Sequence, residues 1–291
     1  MKKYLKEVLE SAAYRLDRSG IVRLYAPVKV MSIDDTISEV VNSGKSLVRF
    51  GDADLTLIRG RSEFRQKESA VLRERLKKIL GYSYDDLLVT IPDIFDGVEQ
   101  YVPKTQKFWK DHLFFYSRYY REYCSPDRVY GTTSVTRSYI TLKDKSKAKG
   151  QFQRLKEAWN GKNVTIVEGI TTHNGVGNDL LDNAGSVRRI LIPPTNAFDA
   201  YDRILAVCLE EDRDRMFLIS AGATAKPLTE DLFLRGYRVL DIGNLDMEYE
   251  WCLSGVSEKQ PIAKHGITGR EANLRAGYTE YLDQVIAEIS G

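Results

Sequence analysis

A chain of 291 residues with 43% hydrophobic side chains can bury a substantial core as one large domain or two closely packed ones, which excludes a disordered polypeptide. Its 43 basic and 41 acidic residues leave a net charge of +2, so the overall balance nominates neither nucleic acid nor a membrane surface as partner. Cys124, Cys208 and Cys252 are widely spaced and lack a C-x-x-C pair, which argues against a disulfide framework or zinc knuckle and fits a reducing cytoplasm.

The opening Met1-Lys2-Lys3-Tyr4-Leu5-Lys6-Glu7 is amphipathic and charged, and no apolar run of about 18 residues follows; a soluble protein without signal peptide or integral membrane segment is expected. Ser32 as N-cap, Asp34 and Asp35 in the first turn and Gly44 beyond the end predict a helix from Ser32 to Asn42. A strand from Ser46 to Phe50 stops at Gly51-Asp52, and its exit concentrates charge. There Arg49 is suited to grip a phosphate bidentately, and Asp52 or Asp54 to hold sugar hydroxyls or act as a base. A surface turn in which Arg49 pairs with Asp52 is the alternative. Helices are expected over 68–80 and 105–123, with a strand from Leu87 to Ile91 between them. Arg137 stands in a polar aromatic stretch suited to a donor or acceptor sugar. No low-complexity linker separates the two halves, so a single domain is expected, with only a weak boundary near Lys149.

Beyond Lys149, apolar strands at Val164 to Val167, Ile190 to Ile192, Met216 to Ser220 and Tyr237 to Ile242 alternate with expected helices. Those helices are Asp179 to Ala184, Ala197 to Glu211 and Lys226 to Arg235. The alternation predicts an α/β, Rossmann-like, mostly parallel sheet flanked by helices, elaborated in its N-terminal half. Ligands of such sheets bind beyond the carboxyl ends of the strands. Glu168 ends one apolar strand there, and Asn196 follows another. The run Gly175-Val176-Gly177-Asn178-Asp179-Leu180 is a tight turn that brings backbone N–H groups to a phosphate, with Asp179 suited to a ribose or base; helix capping by Asn178 and Asp179 is the alternative. Gly222, Ala223 and Thr224 offer close approach and a hydroxyl at a helix start.

The exit after Gly243 carries Asp246, Glu248 and Glu250 at alternate positions, which an extended backbone would point to one side. A hard divalent cation relieves their repulsion, and a solvated acidic loop is the alternative. The tail from Ser254 is expected to be loop until a closing helix at Tyr278 to Ile289. His112, His173 and His265 are too scattered for a histidine-built metal site.

Taken in order, Arg49-Phe50-Gly51-Asp52, Val167-Glu168-Gly169, Gly175-Val176-Gly177-Asn178-Asp179-Leu180, Asn196-Ala197-Phe198, Gly222-Ala223-Thr224-Ala225 and Asp241-Ile242-Gly243-Asn244-Leu245-Asp246-Met247-Glu248-Tyr249-Glu250-Trp251 resemble the motifs of the GT-D glycosyltransferase family. The resemblance spans roughly residues 45–253, and the chain resembles in particular the glucosyltransferase domain that extends O-glycans on streptococcal serine-rich adhesins. The chain departs from the family pattern at Ala53, Ser138 and Ala223. The resemblance implies UDP-glucose as donor, Mn²⁺ or Mg²⁺ held by Asp246 and Glu248, and a glycan on a glycoprotein as acceptor. Asp52, Asp54 and Glu250 are then the candidate bases, and alanine at Asp246 or Glu248 is expected to abolish metal-dependent transfer without unfolding the chain. The alternatives are a catalytically silent nucleotide-sugar-binding module of a glycosylation complex, or another Rossmann-type nucleotide-dependent enzyme. A homo-oligomer and a place within a longer multidomain transferase are both compatible with the sequence.

Overall fold

The fold comes from a computed structural model, which describes residues 8–9, 12–17, 28–81, 84–266 and 278–290. The N-terminal half supplies four strands, β1 (Lys29–Val30), β2 (Ser46–Arg49), β3 (Leu87–Ile91) and β4 (Val129–Thr132). The C-terminal half supplies β5 (Asn163–Gly169), β6 (Ser186–Ile192), β7 (Met216–Ser220), β8 (Val239–Asp241) and β9 (Val285–Glu288). All nine join one sheet in the order β1-β4-β3-β2-β8-β7-β5-β6-β9. Every pairing is parallel. The two halves of the chain meet where β2 pairs with β8, so β2, β8 and β7 release their loops side by side.

Helices cover both faces, as parallel sheets require. In chain order they are α1 (Ile33–Val41), α2 (Asp52–Ile58), α3 (Ala70–Gly81), α4 (Pro103–Tyr123), α5 (Ala148–Lys156), α6 (Tyr201–Cys208), α7 (Ala225–Leu234), α8 (Leu245–Leu253) and α9 (Tyr278–Gln284). The Ser32 hydroxyl caps α1 by accepting the Asp35 N–H. Alternation along each strand sorts the core into layers. Leu47, Ile166, Leu218 and Leu240 face α1, α5 and α8 through Ile37, Phe152 and Tyr249. Val48 and Val89 face α2, α3 and α4 through Leu55, Leu72 and Tyr120. Phe217 and Ile219 pack with Ile204 and Leu228 from α6 and α7.

Four local expectations are corrected. The segment 179–184, expected to begin a short helix, forms turns instead: Gly175 and Gly177 at φ 75° and 73° turn the chain just before it, and Asp179 is tied to Lys156 and Tyr249. The expected helix at Ala197 to Glu211 begins as a 3₁₀ turn, Ala197–Ala200, and becomes α-helical only as α6. The closing helix ends at Gln284, where Val285 and Ile286 begin β9 along the open side of β6. Most consequential, the acidic run is helical: Gly243 at φ 47° turns the chain, and Leu245 and Tyr249, one helical turn apart, are buried as α8.

Candidate active site

The exits of β2, β7 and β8 open into a cavity of about 630 Å³, walled by Arg49, Asp52, Asp54, Arg137, Lys226 and Asp241 among others. Arg49 reaches across this floor because Gly243 has no side chain: a Cβ there would lie 1.9 Å from Arg49 Nη1. The Arg49 backbone N–H donates to Asp241 Oδ2 at 3.3 Å, and its guanidinium stands 3.8 Å from Asp241 Oδ1. Burial pulls the Arg49 pKa below its ordinary value, and Asp241 opposes that loss. Arg49 Nε is buried without a hydrogen-bond partner among the described residues.

Lys226, at the start of α7, is shared. Its Nζ meets Asp54 Oδ2 at 3.2 Å and Asp241 Oδ2 at 3.4 Å, and donates to the Gly222 carbonyl at 3.0 Å. Gly222 adopts φ 55° directly after β7, which a residue with a Cβ adopts only under strain. Asp54 is buried and its Oδ2 accepts the Gly51 N–H at 2.8 Å. Burial pushes its carboxyl up to about 6, against the pull of Lys226. Asp54 therefore fastens the β2 exit, while Asp52 stays half-buried on the cavity wall.

On the far wall Arg137 donates from Nε to Glu248 Oε1 at 3.3 Å. Glu248 Oε2 accepts the Ile140 N–H at 2.9 Å, so this fully buried carboxylate both orients Arg137 and pins the segment that carries it. Asp246 points elsewhere. Its Oδ1 accepts from Gly175 N at 2.8 Å, Asn178 Nδ2 at 2.9 Å and Lys264 Nζ at 2.9 Å, and Oδ2 meets His265 Nε2 at 2.7 Å. Burial favours its protonated form, but His265 and Lys264 outweigh that and hold the carboxyl below the usual range. Glu250, one turn along, joins the same cluster through Asn178 at 2.6 Å and Lys264 at 2.8 Å.

The structure thus brings Arg49, Asp52, Asp54, Arg137, Asn196, Gly222 and Ala223 to one cavity. Glu168, Gly175, Gly177, Asn178, Asp179, Thr224, Asp246, Glu248 and Glu250 are not in its lining. Glu168 binds Arg189 at 2.5 Å and the Asn174 backbone at 2.8 Å. Asp179 binds Lys156 at 2.6 Å and Tyr249 at 2.7 Å, and Asn178 Oδ1 accepts Leu180 N at 3.0 Å. These contacts set the shape of the loops behind the cavity. Lys226, Asp241 and His265 are cavity residues that sequence reasoning missed; for Asp241, a carboxylate closing an apolar strand was the signal available.

Asp246 and Glu248 do not fit a shared metal ion in this arrangement. Two residues apart on a helix, they project about 200° from each other. Each is fully buried and already accepts N–H donors. Among the described residues, no group of three or more His, Cys, Asp or Glu is disposed to hold a metal.

A charged cavity at the carboxyl edge of a parallel sheet, where two half-sheets meet, defines an α/β protein built to bind a polar ligand such as a nucleotide. The chain belongs to the family of glycosyltransferases with the GT-D fold, whose model matches residues 47–269. It is 41% identical over 240 residues to a probable glycosyl transferase Gly of Streptococcus gordonii, covering 82% of this chain and 35% of that protein. It is 40% identical over 233 residues to the glycosyltransferase GlyD of Streptococcus pneumoniae serotype 4, covering 80% of this chain and 28% of that one. The chain therefore spans about a third of the length of these curated relatives. A solved structure described as a new glycosyltransferase (DUF1792) from Streptococcus sanguinis superposes with a TM-score of 0.84 at 37% identity, over 90% of this chain and all of that one. Another, described as the domain of unknown function 1792 with a distinct glycosyltransferase fold, gives 0.85 at 36%, over 90% and 96% of the two chains. Among the described residues no helix is long and apolar enough to cross a membrane.

Proposed function

We propose that this chain transfers a hexose, glucose from UDP-glucose, to a glycan on a glycoprotein acceptor such as a serine-rich adhesin, and that it works in the cytoplasm. The observation that carries the proposal is the cavity between Arg49 and Arg137, each set in place by a buried carboxylate, in a chain of this family. The donor diphosphate lies against these two guanidiniums, whose planar donors match phosphate oxygens. As the acceptor hydroxyl oxygen bonds to the anomeric carbon, the bond from that carbon to the diphosphate oxygen breaks and negative charge collects on the departing UDP. Arginines already oriented by Asp241 and Glu248 stabilise that charge with little reorganisation.

Of the three candidate bases, we assign the acceptor proton in an inverting transfer to Asp52. Asp54 is buried and engaged by Gly51 and Lys226, and Glu250 is absent from the cavity lining. Arg49, Arg137 and Lys226 face Asp54, Asp241 and Glu248, so the chain brings no surplus of positive charge to a diphosphate. That balance leaves a need for Mn²⁺ or Mg²⁺ accompanying the donor as counter-charge. Thermal-shift screening tests the donor class: UDP-glucose, with and without Mn²⁺, is expected to raise the melting temperature, whereas NADH and S-adenosylmethionine are not. Stabilisation by either of the latter alone would overturn the reading.

A further inference from the structure

Phe64 is 92% exposed, yet it stands on the rim of the active-site cavity. Single exposed aromatics are common and need no explanation. This one sits on a fastened loop. The connection between α2 and α3 is clipped to the exit of β6 at three points: Asn196 N donates to Arg65 O at 2.7 Å, Lys67 N to Asn196 Oδ1 at 2.8 Å, and Phe198 N to the buried Gln66 Oε1 at 3.2 Å. Asn196 makes two of these bonds from a left-handed backbone, φ 52° and ψ 34°, which asparagine tolerates better than most residues. The loop is thereby fastened just beyond Phe64, at residues 65–67, and the Glu63 N–H closes over it onto the Gln66 carbonyl at 3.0 Å, with the ring left bare.

We infer that Phe64 is the stacking platform for the acceptor sugar, and that Asn196 is the positioning residue that fixes it there. The inference rests on the transfer reaction proposed above. Aromatic rings take the apolar face of a pyranose while polar neighbours, here Glu63, Arg65 and Thr195, face its hydroxyls. The rim location separates acceptor from donor. A donor placed against Arg49 and Arg137 is enclosed by the cavity, whereas a glycan attached to a protein must keep most of its bulk in solvent and dock where the cavity opens.

Two readouts test the inference. In UDP-release kinetics with UDP-glucose and a panel of methyl hexosides, Phe64→Ala should raise the acceptor KM about tenfold while the donor KM moves less than about twofold, the size expected for one lost ring contact. Asn196→Gly, which accepts the left-handed backbone but lacks the Oδ1 acceptor, should reproduce that split, and Asn196→Asp should restore the acceptor KM. Independently of turnover, Phe64→Trp should show a change in tryptophan emission on addition of a methyl hexoside that the wild-type protein lacks. A donor KM that rises with or instead of the acceptor KM, or Phe64→Trp emission indifferent to every hexoside, would overturn the platform. Emission that responds in a protein that releases no UDP would uphold the platform and count against the donor assigned above.

Discussion

Gly243 and Arg49 are in contact across the β2–β8 junction, with Arg49 Nη1 filling the space that a Cβ on residue 243 would take. Gly243→Ala therefore acts on function through Arg49, whose flexible end must swing away. The added methyl also strains a backbone at φ 47°, costing about 1 kcal/mol or slightly more. The expected result is a fall in kcat/KM of about tenfold or more with a melting temperature lowered by only a few degrees. Steady-state kinetics beside a thermal melt check this; unchanged kcat/KM would show that Arg49 does not serve the reaction.

The fully buried Asp246 holds Lys264 and His265, and the fully buried Glu248 holds the part-exposed Arg137, so the expectation that alanine there leaves folding intact is revised. Removing one partner of a buried ion pair typically costs about 3–5 kcal/mol, and Glu250, which Lys264 keeps at 2.8 Å, sets the cost here toward the lower end. Asp246→Ala should lose stability on that scale in urea unfolding, and Asp246→Asn, which keeps the shape, should lose less. An alanine variant as stable as the wild type would contradict the clamp described here.

The Asp54 carboxyl titrates at about 6 in the fold and at 3.8 in the unfolded chain, chiefly because burial disfavours its charge. A raised folded pKa means the native state holds this proton more tightly. Its contribution to stability is greatest in acid, declines as pH rises through that window and is gone above it, a change of about 3 kcal/mol. Urea unfolding at pH 4 and pH 7 should therefore show the wild type losing stability relative to Asp54→Asn as pH rises. A difference that is flat, or that grows in favour of the wild type, would contradict the assignment.

Asp52 sits half-buried on the cavity wall and serves as base in the proposed reaction. Asp52→Asn should lower kcat by about 10²- to 10⁴-fold without a comparable change in donor affinity. Retention of full kcat would remove Asp52 from the chemistry.

The central strands were legible in the sequence because parallel strands covered on both faces are continuous apolar runs, as in β3 and β5. The outer strands were not: β1 is two residues long, and β9 alternates half-buried with exposed positions, a pattern that a surface helix end shows equally well. The acidic run misled because three carboxylates at alternate positions match the period of a strand, while the apolar pair Leu245 and Tyr249 that makes it a helix is sparse. What each carboxylate meets was beyond sequence spacing altogether, since Arg137 lies 111 residues from Glu248 and Asn178 lies 68 from Asp246. Arg49, Asp52, Asp54 and Gly222 were legible because sheet topology alone directs strand exits to one edge.

The most direct test of the central claim is release of UDP from UDP-glucose by the purified chain, with a glycopeptide acceptor, in the presence and absence of Mn²⁺, for the wild type and Arg49→Ala. Acceptor-stimulated UDP release by the wild type that falls at least tenfold in Arg49→Ala is the predicted result. Absence of UDP release across a broad panel of donors and acceptors would contradict it and leave a silent nucleotide-sugar-binding module in its place.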